Sequence, residues 1–353
     1  MPTYKDEKTG LWYCKFVYTD WTGTRKQKKK KGFKLQRDAK EWELEFLSKM
    51  SGSSDMKFCY LAELYLEDCK ARIKPTTYPG KEHIFRKHII PYFGELKINA
   101  ITATTVRQWQ TKMINDPANY KKTYLKSINN QLSAVLNYAC KYYGLKENPV
   151  HVCGSMGKKK ADKMDFWTFD EFQRFIAAVS DKPASATIFN LLYWSGMRSG
   201  ELLALSLPDF DFGVEAVKID KNYARLDQED LILEPKTPKS NRKIGIPKHV
   251  CDLVSDYASR LVDYENNERL FQVTKSYLNK EMKRGCEASG VKKIRIHDIR
   301  HSHASLLIEM GCSILLVSER LGHENIETTL ATYAHLYPHK DEQVVAKMNS
   351  LIA

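Results

Sequence analysis

The stretch "LGHENIETTLATYAHLY", residues 321–337, brings His323, Tyr333 and His335 into one short run. Ile326, Leu330 and Tyr333 share a helical face, so the spacing predicts a buried tyrosine whose hydroxyl needs a partner. Ser313 is placed to cap "ILLVSER", Gly322 to end it, Asn325 to cap the next helix and Pro338 to close it. In "GMRSGELLALS", Arg198 and Glu201 are three apart on one helical face; taken alone they form a local ion pair. In "EPKTPKSNRKIGIP", Lys236 stands at a strand end before a turn, either solvated or able to dip into a groove, with Lys239 and Lys243 beside it. In "RIHDIRHSHASLLIEMG", His297 and Arg300 share a face and His301 follows His297 by four. That last spacing is compatible with zinc. No glutamate intervenes, however, and Arg300 sets a permanent cation among the would-be ligands, so no metal is expected. An arginine–histidine cluster suits an anion.

These residues need rigid elements to gather them. From about residue 164 onward the pattern is mainly helical. Thr168 and Glu171 have capping-box spacing, which starts a helix near Phe169. The exception is 214–247, where "VEAVKID", "DLILEP" and "RKIGIP" read as three short strands. Residues 56–150 read as all-helical. A helix over 58–73 is interrupted by Pro75 and "YPG" (78–80), and helices over 81–94, 102–114 and 121–144 follow. In the last, Leu125, Ile128, Leu132, Val135, Leu136 and Ala139 share a face, and Lys121, Lys122, Lys126 and Asn129 are expected opposite. Residues 10–20 read as an aromatic strand, hairpinned at "WTGT" to a basic strand over 25–33, and a helix follows over 34–50. "SGSSD" (51–55) and "GSMGKKKADKMD" (154–165) read as linkers. The fold class expected is mainly α with small β-sheets (α+β).

The 353 residues suffice for two or three domains. Lys and Arg number 56 against 43 Asp and Glu, a net charge of +13. For a soluble chain that excess points to nucleic acid. No apolar run is long enough to span a membrane and the N-terminus has no apolar signal core, so a cytoplasmic protein is expected. The eight cysteines lack CxxC spacing and read as reduced thiols. Arg25, Lys26, Lys28, Lys29, Lys30, Lys31 and Lys34 crowd the basic strand. A two-stranded ribbon fits the DNA major groove, so that strand, with Lys121, Lys122 and Lys126, is the expected DNA-binding surface.

In order along the chain, "GMRSGE", "PKTPKSNR", "HDIRHSHASLL" and "LGHENIETTLATYAHL" resemble the tyrosine recombinase family, the phage-type integrases. The likeness is most specific in the C-terminal part. The layout also resembles that of three-domain integrases: an arm-type DNA-binding domain (1–52) with a three-stranded sheet and a helix, a helical core-binding domain (56–153) and a mixed, mainly helical catalytic domain (164–353). The resemblance implies a site-specific recombinase that integrates, and excises, a phage or mobile element through a covalent 3′-phosphotyrosyl intermediate. It further implies that Arg198 and Arg300 grip the scissile phosphate, Lys236 protonates the leaving 5′ oxygen, and His297 and His323 bond the phosphate or assist proton transfer. Glu201 orients the site and Tyr333 is the nucleophile. His335 is expected to be a bystander.

That chemistry suits those residues. Each strand exchange swaps one phosphodiester for another, so neither ATP nor a cofactor is required. Arginine forks match phosphate geometry, histidine donors add to the clamp, and a lysine acid eases the leaving group. The partners implied are double-stranded attachment sites, a homotetramer on DNA, a host bending factor and an excisionase. The apolar spacing of Val344, Val345, Met348, Leu351 and Ile352 suggests a terminal helix that docks on a neighbouring protomer. Rival readings are a chromosome-dimer resolvase or a type IB topoisomerase, both disfavoured by residues 1–50, and a DNA-binding regulator without catalysis. The regulator would explain the charge but not the ordered Arg, Lys, His, Arg, His, Tyr series.

Overall fold

A computed structural model describes residues 3–19, 24–50, 54–158, 165–235, 238–334, 345 and 348–350. Lys236, His335, Pro338 and most of 341–353 fall outside them. The chain divides into two compact units, residues 1–162 and 163–353.

The first unit opens with an antiparallel sheet in the order β1 (Thr3–Lys5), β2 (Trp12–Thr19), β3 (Arg25–Phe33). Side chains alternate along a strand, and this decides which lysines face where. Cys14 and Phe16 turn inward against α1 (Gln36–Met50), where Phe16 meets Trp42 and Phe46. Tyr13, Lys15 and Val17 lie on the opposite, uncovered face. The register pairs Tyr13 with Lys31 and Lys15 with Lys29 there, and it pairs Cys14 with Lys30 and Phe16 with Lys28 on the α1 side. Lys29 accordingly stacks over Tyr13 at 4.6 Å, and Lys28 lies 5.7 Å from Phe46.

Helices α2 (Phe58–Arg72), α3 (Tyr78–Ile84), α4 (Ile90–Phe93), α5 (Ala103–Ile114), α6 (Lys122–Tyr142) and α7 (Pro149–Cys153) enclose an apolar core. The expected face of α6 is buried throughout. Two expectations need correction. "YPG" does not interrupt a helix: Pro79 sits in the first turn of α3, where its missing N–H costs nothing. Asn129 is not on an exposed basic face but 2% exposed, bonded to Gln110 Nε2 and Ser155 Oγ.

The second unit is built around α9 (Pro183–Ser195), which is buried along nearly its whole length. Around it lie α8 (Phe169–Val179), begun by the Thr168–Glu171 capping box, then α10 (Ser199–Leu202), α11 (Lys248–Ser259) and α12 (Lys275–Ser289). The strands number five rather than three among the described residues. A sheet β4–β5–β8 joins Phe210–Asp211, Ala216–Ile219 and Arg242–Gly245, and β6 (Asn222–Leu226) hairpins with β7 (Glu229–Leu233). The hairpin turn uses Asp227 and Gln228, both at positive φ, which lacks the Asn-Gly signature that would have revealed β6.

The chain then forms α13 (Asp298–Glu309), α14 (Ile314–Leu321) and α15 (Ile326–Tyr333). These three helices close on a small core of Ala304, Ile308, Val317, Leu321 and Tyr333. Tyr333 is buried at 1% exposure, as its spacing predicts. The face is rotated, however: Thr329 accompanies it inward while Ile326 and Leu330 are 41% and 51% exposed. Ser313 caps α14 and Gly322 ends it, whereas Asn325 precedes α15 without a side-chain cap bond. No helix among the described residues is long and apolar enough to cross a membrane.

Gly196 ends α9 at φ +64°, and a Cβ built there would fall 2.4 Å from His303 Cδ2. Gly196→Ala should therefore cost about 2–3 kcal/mol, from left-handed strain plus overpacking. Thermal unfolding should show a melting temperature lower by several degrees. A change within one degree would contradict the tight contact.

Candidate active site

Arg300 lies in the first turn of α13 and is 2% exposed. The start of that helix is pinned by Asp298, which accepts from the backbone N of Arg295 at 3.0 Å and from its guanidinium. The Arg300 fork is held by carbonyls at the C-terminal ends of two other helices. Nη1 donates to Gly196 O at 2.8 Å, after α9, and Nη2 donates to Leu321 O in the last turn of α14. Such carbonyls lack intrahelical donors and carry partial negative charge. They orient the cation without neutralising it. Burial pushes its pKa down to about 9, with Arg198 adding to the effect, so it stays charged at neutral pH.

Glu201 is buried at the start of α10 and serves two arginines. Its Oε1 accepts from Arg198 Nη1 at 2.7 Å, and its Oε2 accepts from Arg242 Nη2 at 3.0 Å and from the Arg198 backbone N at 2.8 Å. Burial alone would raise its pKa, but Arg242 and Arg198 together hold it below the usual range. Arg198 and Glu201 thus do not sit side by side within a helix: Arg198 is the residue that precedes α10, and the pair is its cap. Arg242 also donates to Arg320 O at 2.9 Å and Ser240 O at 2.9 Å, tying β8 to α10 and α14.

The histidines close the cluster. His323 follows Gly322, and its Nδ1 meets Thr329 Oγ1 at 2.7 Å. Its pKa is driven down to about 4, first by burial and then by Arg300 and Arg198. His301 Nδ1 hydrogen-bonds the Tyr333 hydroxyl, and burial, then His297, drives its pKa to about 4 as well. His297 is the exposed residue that precedes α13, its ring 5.4 Å from that of His301, its pKa lowered by desolvation and then by Arg300. Burial pushes the Tyr333 hydroxyl well above its ordinary value, with Arg300 opposing.

The structure therefore gathers six of the seven expected catalytic positions: Arg198, Glu201, His297, Arg300, His323 and Tyr333. The seventh, Lys236, lies outside the described residues. Lys239 donates to Glu324 O at 2.8 Å and Lys243 pairs with Asp211 at 2.8 Å. Arg25, Lys26 and Lys28 to Lys31 lie on the sheet of the other unit. Lys121 and Lys122 belong to the same unit but stand at the start of α6, and Lys126 bonds Ser155 Oγ at 2.7 Å. Two residues of the cluster received no role from the sequence. The signal for Arg242 was a buried carboxylate in need of a second cation. The spacing of His301 from His297 suggests at most a metal ligand, whereas its partner is the Tyr333 hydroxyl. Three guanidiniums around one carboxylate leave an excess of positive charge, which suits an anion with several oxygens.

Comparison with known proteins follows the same lines. Residues 165–340 match the model of the phage integrase family, 57–114 a phage integrase N-terminal SAM-like domain and 2–50 an arm DNA-binding domain. The ICEBs1 integrase of Bacillus subtilis is 28% identical over 93% of this chain and 91% of its own length. In fold, the chain is similar to the Tn1549 transposon integrase in complex with a circular intermediate DNA (TM-score 0.69, 19% identity, 84% of this chain and 99% of that one). It is likewise similar to the lambda integrase in a tetramer bound to a Holliday junction (TM-score 0.59, 16% identity, 92% and 96%).

His303 is 2% exposed, and burial drives its pKa to about 3. A histidine whose folded pKa lies below its unfolded value of about 6.5 supports the fold only while neutral. The unfolded chain takes up the proton first as pH falls, so stability present above pH 6.5 is lost progressively toward pH 3. Melting temperatures of the wild type should fall between pH 6.5 and 5, above the range where carboxylates titrate. His303→Leu should flatten that slope, and an unchanged slope would assign the loss to other groups.

Proposed function

The chain belongs to the phage integrase family, and on that footing we propose that it is a site-specific tyrosine recombinase that integrates and excises a phage or mobile element. In this reading Arg198, Arg300, His297 and His323 receive the scissile phosphate and Tyr333 attacks it, forming a 3′-phosphotyrosyl bond. Lys236 protonates the leaving 5′ oxygen, and Glu201, between Arg198 and Arg242, fixes the first arginine. The observation that carries this reading is Arg300: buried, charged and without a carboxylate partner among the described residues, in one cluster with Tyr333. A donating Thr329 hydroxyl would leave the His323 proton on Nε2, ready for a phosphate oxygen. The commitments of Lys239 and Lys243 support Lys236 as the general acid.

The division of labour proposed is arm-site binding by 1–52, core-site binding by 56–153 and catalysis by 164–353. The partners are double-stranded attachment sites, a homotetramer on DNA, a host bending factor and an excisionase, in the bacterial cytoplasm. The tetramer named for the lambda integrase supports the assembly. Segment 341–353 is proposed to dock on a neighbouring protomer.

Two outcomes test this. Nicked duplexes spanning the junctions of the element that encodes the chain should trap a covalent adduct with the wild type. Tyr333→Phe should trap none while binding the same DNA. An adduct from the variant would place the nucleophile elsewhere, and no adduct from the wild type would favour a regulator. For arm binding, the register predicts that Lys15→Ala with Lys29→Ala, on the uncovered face, weakens affinity more than Lys28→Ala with Lys30→Ala. The salt dependence should lose about one unit of slope per phosphate contact removed. Equal effects from the two pairs would show that the open face is not the one that meets DNA.

A further inference from the structure

The resemblance offers His297 and His323 for the phosphate or for proton transfer, yet the histidine hydrogen-bonded to the Tyr333 hydroxyl among the described residues is neither of them, which reopens where the phenolic proton goes as Tyr333 attacks. The general acid serves the leaving oxygen, and the arginines serve the phosphate. A neutral phenol becomes strongly acidic once its oxygen begins to bond to phosphorus, so an acceptor must already be in place.

We propose that His301 is that acceptor, a catalytic base for Tyr333; the proposal rests on the reading of Tyr333 as nucleophile. The geometry is direct. His301 Nδ1 is hydrogen-bonded to the Tyr333 hydroxyl, and their rings lie 5.5 Å apart. The other histidines are placed for other work. His323 Nδ1 is taken by Thr329, and His297, just before α13, meets His301 edge-on. His301 is also held unprotonated. Burial depresses it most, and His297, Arg300 and Arg295 add to this against Asp298. His323 faces it from the loop before α15, and Tyr333 faces it from α15 itself. At neutral pH it therefore enters the reaction able to accept.

The same numbers say when the transfer occurs. The Tyr333 hydroxyl is pushed up by burial and His301 is pulled down to about 4, so a free tyrosinate does not form in the resting site. Transfer accompanies attack: the bond between Tyr333 Oη and phosphorus forms, the bond from phosphorus to O5′ breaks, the phenolic proton passes to Nδ1, and O5′ takes a proton from the general acid. In the return step a 5′ hydroxyl attacks and passes its proton to the general acid left deprotonated by the first step, the bond from phosphorus to Oη breaks, and the His301 imidazolium gives its proton back to Oη. No co-reactant is consumed.

The test measures single-turnover adduct formation on a nicked junction duplex at pH 6 to 9 with the wild type, His301→Phe and His301→Asn, with DNA affinity in parallel. Each is repeated on a duplex whose scissile 5′ bridging oxygen is sulfur, a leaving group that needs no proton. His301→Phe should bind DNA normally and form adduct about 100-fold more slowly. Its residual rate should rise about tenfold per pH unit, because solvent must then ionise the phenol, and sulfur should not rescue it. His301→Asn keeps an acceptor near Nδ1 and should retain the steep pH dependence, since an amide cannot hold the proton. Wild-type rates and pH profile in His301→Asn would reduce His301 to a positioning residue and overturn the proposal. So would rescue of His301→Phe by sulfur, which would move the defect to the leaving group. An adduct that survives Tyr333→Phe would instead remove the reading on which the proposal rests.

Discussion

A buried arginine without a carboxylate is the constraint around which the second unit is arranged. Taking a guanidinium out of water costs several kcal/mol unless its donors are met. Arg300 is met by two carbonyls, each at the end of a helix that stops where it must. Gly196 in the left-handed conformation ends α9, and Gly322 ends α14, so both helices present free carbonyls at the same point. A carboxylate would have stabilised the cation more, but it would also have cancelled its charge. Carbonyl dipoles orient the fork and leave its charge unspent.

The other groups in the cluster follow from that charge. Near Arg300, Arg198 and Arg242 an imidazole resists protonation, and burial adds to the resistance. His301 and His323 are therefore neutral where an isolated histidine would titrate near neutrality. Neutral histidines can each accept through one nitrogen and donate through the other, which imidazolium cannot do. Among the described residues, Glu201 is the carboxylate paired with Arg198 and Arg242. It sits behind Arg198 and Arg242 and holds them in place while leaving the front of the cluster positive.

Much of this was legible in the sequence because the helices of the second unit carry local punctuation. The Thr168–Glu171 capping box, the Ser313 cap and the glycine stops declare themselves within a few residues. The order of arginine, lysine, histidine and tyrosine motifs identified the chemistry before any geometry did. What was not legible depends on contacts far apart in the chain. Arg242 reaches Glu201 across 41 residues and Arg320 O across 78. His301 meets Tyr333 across 32. Pattern reading correctly buried Tyr333 yet rotated its helix, because in eight residues Thr329 and Leu330 compete for the inward face and only packing decides between them. β6 was hidden by a hairpin turn made with Asp227 and Gln228, residues that reach positive φ at a cost instead of advertising it.

The same split between local and distant information separates the two units. The basic strand β3 could be recognised from composition alone, but composition could not say which of its lysines look outward. The pleat answers that, because the aromatic residues of β2 must bury against α1, and pairing then assigns Lys28 and Lys30 to the covered side and Lys29 to the open one. A hydrophobic requirement on one strand thus sets the electrostatics of its neighbour. In the second unit the direction is reversed: an electrostatic requirement, a buried cation whose donors must be met by carbonyls, sets where two helices end. Tyr333 belongs to both arguments. Its ring completes a small apolar core, and its hydroxyl, at the edge of that core, meets the one histidine nitrogen turned toward it among the described residues.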